Sequence, residues 1–81
     1  MSATVLERLA ALLISRFGVS AEELRPDVTF DELDLDSLAL VEFAMVAEKE
    51  FGVPFGEDEV SPQGTVTGAA ELIGAKLARV G

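Results

Sequence analysis

Between Asp36 and Gly52 the sequence spells a helix with both ends marked. Asp36 is a residue type that caps helix N-termini, and Gly52 followed by Pro54 is a stop signal. At about 100° per residue, Leu40, Phe43, Ala44, Ala47 and Phe51 share one face, a core stripe. The spacing predicts a helix from about Ser37 to Phe51, and the rest of the chain must supply what that stripe packs against.

Two further stretches carry the same period. Leu6, Leu9, Leu13 and Phe17 recur at helical spacing, with Val5 and Leu12 beside them. Thr4-Val5-Leu6-Glu7 fits a capping box and Gly18 is a stop, so a helix is expected over about Thr4 to Phe17. Near the C-terminus, Val66, Ala69, Ala70, Ile73, Leu77 and Val80 form the third stripe, capped by Thr65 or Thr67. Gly68 and Gly74 weaken that helix slightly or let a neighbour approach closely.

The connections are informative too. Ser20-Ala21-Glu22-Glu23 is a second capping box and predicts one short turn, ended by Arg25-Pro26. Val28, Phe30, Leu33 and Leu35 then read as anchors of a loop packed onto the core. Phe55 to Val60 is expected to form one short helix, its acids favoured at the N-terminal turn, and Ser61-Pro62-Gln63-Gly64 reads as a loop. No alternating strand pattern of useful length appears. The expectation is an all-α fold, a small bundle of three main helices plus one short helix, in a single domain over residues 1–81. The long first connection leaves the relative sense of the first two helices open.

Charge bounds the function. The chain has 6 basic and 15 acidic residues, a net charge of −9. Between Pro26 and Ala75 the only basic residue is Lys49. Such a surface repels nucleic acid backbones and anionic membranes and suits partners with basic patches. The sequence has no signal-peptide pattern and no apolar run long enough to span a bilayer, so a cytoplasmic location is expected.

Cysteine and histidine are both absent. That removes thiol chemistry, cysteine metal sites and the commonest general base near neutral pH. Ser37 therefore lacks an activating base, and no Gly-x-Ser-x-Gly elbow surrounds it. Asp34 and Asp36 are paired carboxylates, but a small helical bundle offers little room for an enclosing pocket, so an enzyme is not expected. The acids at Asp31, Glu32, Asp34 and Asp36 do not match a calcium loop either. Counted from Asp34, positions five, six and twelve are Leu38, Ala39 and Met45; counted from Asp31, position three is Leu33. They read as a solvated face, and no metal site is expected.

Two features of the second helix remain. A sector of roughly 120° beside the core stripe holds Leu38, Val41, Glu42, Met45, Glu48 and Lys49. Either the helix is central and buried on two sides, or this sector is a docking surface with apolar contacts for adhesion and acids for steering. Ser37 lies next to it. Either Ser37 is a capping or first-turn residue, or its exposed hydroxyl is a modification site where helix amides favour a phosphate.

Asp36-Ser37-Leu38 at the head of this helix resembles the attachment site of acyl carrier proteins. The resemblance covers nearly the whole chain and is strongest from Phe30 to Val53: Leu33, Asp36-Ser37-Leu38, Val41-Glu42, Met45 and Glu48-Lys49-Glu50-Phe51-Gly52-Val53. Thr65-Val66 is similar as well. The resemblance implies that Ser37 carries a 4'-phosphopantetheine arm, taken from coenzyme A and added by a phosphopantetheinyl transferase. The cofactor would bring the sulfur that the chain lacks and hold acyl or polyketide intermediates as thioesters. It further implies that Asp36, Leu38, Val41, Glu42, Met45 and Glu48 face partner enzymes: ketosynthase, acyltransferase and other basic-faced synthase enzymes. In the family the acyl chain can also enter the space between the helices. Two positions depart from the pattern: Asp34 stands where glycine is common, and Lys49 stands where an acid is frequent.

The expectation is a discrete, monomeric carrier beginning at Met1, serving fatty-acid or polyketide biosynthesis. A peptidyl or D-alanyl carrier is the nearest alternative. A cofactor-free acidic helical adaptor is the alternative of another class.

Overall fold

The computed structural model describes residues 2–25 and 27–80, with side chains from 5 to 79 within that range. Three α-helices carry the fold: α1 (Ser2–Phe17), α2 (Ser37–Phe51) and α3 (Val66–Val80). Three single 3-10 turns, Ala21–Glu23, Asp31–Leu33 and Glu57–Glu59, lie in the connections.

The end signals of the helices act largely as expected. Gly18 and Gly52 both stop a helix at φ +69°, where a side chain would be strained. Asp36 caps α2, its Oδ1 accepting the Ala39 amide at 2.9 Å. Of the two candidate caps for α3, Thr65 is the cap, its Oγ1 accepting the Gly68 amide at 2.9 Å. Gly68 suits this arrangement, since a Cβ there would stand 3.0 Å from that hydroxyl. One N-terminus differs. α1 starts at Ser2, so Thr4 is helical rather than the N-cap. Neither Ser2 nor Ala3 breaks a helix, and the ladder extends past Thr4. The side-chain part of that capping box lies outside the described residues.

The predicted stripes form one core, with Leu6, Phe17 and Leu77 partly buried against it, while the Val80 side chain lies outside the described residues. Leu40, Phe43, Ala44, Ala47 and Phe51 are the buried residues of α2. They meet Val5, Leu9, Leu12 and Leu13 from α1 and Val66, Ala69, Ala70 and Ile73 from α3. Phe43 is fully buried at the centre, its ring centroid 6.2 Å from Phe17, 5.2 Å from Phe30 and 6.4 Å from Phe55. One α2 side chain thus joins the end of α1, the first loop and the segment after α2. Phe17 meets Phe43 while Arg8 meets Glu50 and lies over the Phe51 ring, so α1 and α2 run antiparallel. A Cβ on Gly74 would touch Val5 Cγ2 at an ordinary 4.0 Å, so the α1–α3 approach does not demand a glycine there.

The first connection is stitched down along its length. The Ser20 capping box forms, with the Ser20 amide donating to Glu23 Oε1 and the Glu22 amide to Ser20 Oγ, each at 3.4 Å. Pro26, expected to end that turn, lies outside the described residues. Val28, Phe30, Leu33 and Leu35 are all buried. The Phe30 amide donates to the Gly64 carbonyl at 3.1 Å, the Asp31 amide to Pro62 at 2.8 Å and the Val66 amide to Val28 at 3.2 Å. These bonds surround an isolated antiparallel bridge between Thr29 and Thr65.

The segment after α2 is less helical than expected. Phe55 to Val60 yields only the turn Glu57–Glu59. Gly56 (φ −103°, ψ 162°) and Val60 (φ −124°, ψ 154°) on either side are extended, and Phe55 is drawn into the core.

Candidate functional site

Ser37 stands at the point where the first loop becomes α2. The turn Asp31–Leu33 ends at Asp34, which adopts the left-handed conformation (φ 62°, ψ 29°). Among the described residues it is the only non-glycine with positive φ. Aspartate enters this region at lower cost than most side chains, which lets the turn close without glycine. Leu35 is then buried, Asp36, Ser37 and Leu38 are exposed, and Leu40 is buried again. Apolar anchors on both sides hold an exposed tripeptide outward.

Within it, Asp36 is the cap and Ser37 is the first helical residue. This separates the two roles that the sequence left open for the serine. The Ser37 hydroxyl makes no hydrogen bond to the described residues, so it is not used for capping. The first amides of any helix have no carbonyl partner within it and favour an anion. An exposed, unpartnered hydroxyl in that field fits a phosphodiester link. The chain contains no imidazole and no thiol that could activate this hydroxyl. The nearby acids do not converge: among the described residues no group of three acidic side chains is placed to hold a metal ion.

A cleft of about 360 Å³ opens beside Ser37. One wall is α2, with Leu38, Leu40 and Val41; the other is Glu57, Val60 and Pro62. No local sequence signal announces that second wall. It depends on a chain reversal through Gly52 and Pro54 that periodicity does not encode.

The second sector of α2 is open in this chain. Leu38 is 73% exposed and Met45 60%, while Glu42, Glu48 and Lys49 are exposed and Val41 is half-buried. Burial of α2 on two sides is therefore not what the fold does with these residues. Glu48 has a second engagement: its Oε1 accepts the Phe55 amide at 3.3 Å. Beyond Met45, a groove of about 440 Å³ runs between α2 and the end of α1, where Arg16 and Phe17 face Val46 and Lys49. Among the described residues no helix is long and apolar enough to cross a membrane.

A family model described as a phosphopantetheine attachment site matches residues 7–73. The chain is similar to an acyl carrier protein of Petrotoga mobilis (strain DSM 10674 / SJ95), 36% identical over 72 residues, or 88% of this chain and 85% of that one. An acyl carrier protein of Nitratidesulfovibrio vulgaris (strain DP4) is 35% identical over 74 residues, 90% of this chain and 97% of that one. One from Thermobifida fusca (strain YX) is 40% identical over 63 residues, covering 76% and 80%. These matches run through the exposed serine, its cap and the anchors that hold them, and the chain belongs to the acyl carrier protein family of non-catalytic, phosphopantetheine-bearing carriers.

Proposed function

We propose that Ser37 is the residue that carries the 4'-phosphopantetheine arm and that the chain, as a single carrier domain over residues 1–81, presents acyl or polyketide cargo to synthase enzymes in the cytoplasm. The observation that carries this reading is the exposed, unpartnered Ser37 hydroxyl at the first position of α2, inside the matched region. A phosphopantetheinyl transferase would form the bond from Ser37 Oγ to the phosphorus of coenzyme A as the pyrophosphate linkage breaks. Adenosine 3',5'-bisphosphate leaves, and the hydroxyl proton passes to the transferase. Once attached, the arm supplies the thiol on which cargo is held.

The remaining roles follow from position. Asp36 fixes the start of α2 and, with Leu38, Val41, Glu42, Met45 and Glu48, forms the face offered to the transferase, ketosynthase and acyltransferase. The acids steer basic partners and the exposed Leu38 and Met45 provide adhesion. A net charge of −9 discourages self-association and supports a monomer. The cleft beside Ser37, apolar on its α2 side, is the space where cargo would shelter. The named relatives are acyl carrier proteins, which favours acyl over peptidyl or D-alanyl cargo.

Intact-mass spectrometry tests the assignment, after incubation with coenzyme A and a broad-specificity phosphopantetheinyl transferase. One arm on the wild type and none on a folded Ser37→Ala variant is expected. Equal loading of both would move the attachment elsewhere, and no loading of a folded wild type would favour a cofactor-free adaptor.

A further inference from the structure

We propose that Lys76 sets the width of the cleft beside Ser37 and thereby the size of cargo that fits there. Lys76 is a positioning residue that acts through the wall formed by Glu57, Val60 and Pro62. The proposal rests on the reading that this cleft receives the cargo.

The two walls differ in stiffness. The α2 wall is continuous helix. The opposite wall contains a single 3-10 turn, closed by bonds from Glu59 to Gly56 at 3.0 Å and Val60 to Glu57 at 3.4 Å. Its ends are fastened: Phe55 is buried in the core, and the Pro62 carbonyl accepts the Asp31 amide at 2.8 Å. Between them, Lys76 reaches across from α3. Its Nζ donates to the Pro54 carbonyl at 2.8 Å and to Glu59 at 2.9 Å (Oε1) and 2.7 Å (Oε2). Glu59 Oε1 also accepts the Gly56 amide at 3.0 Å. One ammonium group therefore ties both ends of the 54–59 turn to α3. Moving Val60 away from Val41 carries the neighbouring Glu59 with it and strains these bonds. The Lys76 and Glu59 side chains are only 22% and 29% exposed, so water screens this pair less than a fully exposed one.

The test compares wild type, Lys76→Met and Lys76→Arg, the last retaining a charge and several donors. Amide exchange is read on the arm-free protein. Methyl chemical shifts of Leu40, Val41 and Val60 are read on forms loaded from hexanoyl- and dodecanoyl-coenzyme A. Lys76→Met is expected to speed exchange at Glu59 and Val60 about tenfold while leaving Phe30 and Val66 unchanged. Dodecanoyl cargo should shift the cleft methyls beyond the hexanoyl effect in Lys76→Met, but not in wild type or Lys76→Arg. Unchanged exchange would overturn the claim that Lys76 holds the wall. Faster exchange with the same chain-length dependence in all three proteins would overturn its role in cargo size. If neither cargo moves these methyls in any variant, the cleft does not take cargo and the inference falls with that reading, whatever the exchange result.

Discussion

The carboxylate of Glu48 accepts a hydrogen bond from the Phe55 amide at 3.3 Å, joining the exposed face of α2 to the segment that follows it. A residue proposed to face partner enzymes thus also has a structural task. Glu48→Gln, which keeps an acceptor oxygen, should leave the melting temperature nearly unchanged. Glu48→Met removes the same charge as Glu48→Gln but also the acceptor, and should cost about 1 kcal/mol more. Urea denaturation of both variants distinguishes these outcomes; equal stability would show that the bond contributes nothing.

Glu42 is the cleaner probe of docking, since it is exposed and has no hydrogen-bond or ion-pair partner among the described residues. Glu42→Lys should leave folding intact and slow association with a basic-faced partner by roughly tenfold at low salt, the difference shrinking as salt is added. Stopped-flow binding to the phosphopantetheinyl transferase reads this directly. An association rate indifferent to the substitution would remove Glu42 from the interface.

Asp34 lies in the left-handed region at φ 62°. Glycine reaches that region without a Cβ penalty, though it has more freedom to lose on folding. Asp34→Gly should therefore stabilise the chain by about 0.5–1 kcal/mol, and Asp34→Val should destabilise it by at least as much. Asp34→Asn separates charge from backbone, because it removes a negative charge while keeping a side chain that tolerates the conformation. The urea midpoints order the three variants, and a Gly variant less stable than wild type would refute the strain argument.

These cases mark what the sequence makes legible. Asp36 and Gly52 bound α2 because capping and left-handed stops are local, and the helical period alone selects the five residues that become its core stripe. The reciprocal bonds between Thr29 and Glu32, 2.9 Å from the Thr29 amide and 3.2 Å from the Glu32 amide, were equally local. Thr29-Phe30-Asp31-Glu32 has the spacing of a capping box, a signal as short-ranged as the Asp36 cap. The wall opposite α2 is different in kind. Its position follows from Phe55 packing on Phe43 and from Lys76 reaching Pro54 and Glu59, contacts between distant parts of the chain that no periodicity announces. The exposed serine at the head of α2 is legible in the sequence; the shape of the space beside it is not.

Phe43 tests how far the core depends on one side chain. It is fully buried and faces three other phenylalanine rings. Phe43→Ala should cost about 3–5 kcal/mol, a large share of the roughly 5–15 kcal/mol typical of whole domains. Calorimetry should show a strongly depressed transition or none. A loss below about 1 kcal/mol would mean that the core refills the space.

Acid should act on the Lys76–Glu59 tie with a definite sign. Hydrogen bonds from Lys76 and then from the Gly56 amide hold the Glu59 carboxyl below its ordinary value of about 4.5. A carboxyl with a lowered folded-state pKa adds stability above its unfolded value, and that contribution is lost as pH falls through the folded value. Falling pH also neutralises the other acids and relieves the self-repulsion of a chain with net charge −9, which raises stability. Those two effects separate in a comparison of wild type with Glu59→Gln. The shared relief of repulsion should appear in both melting curves. The advantage of wild type should be constant at neutral pH and vanish in the acid range below about 4.5. An advantage that persists unchanged well below the folded value would show that Glu59 contributes through shape or hydrogen bonding in its neutral form, and not through its charge on Lys76.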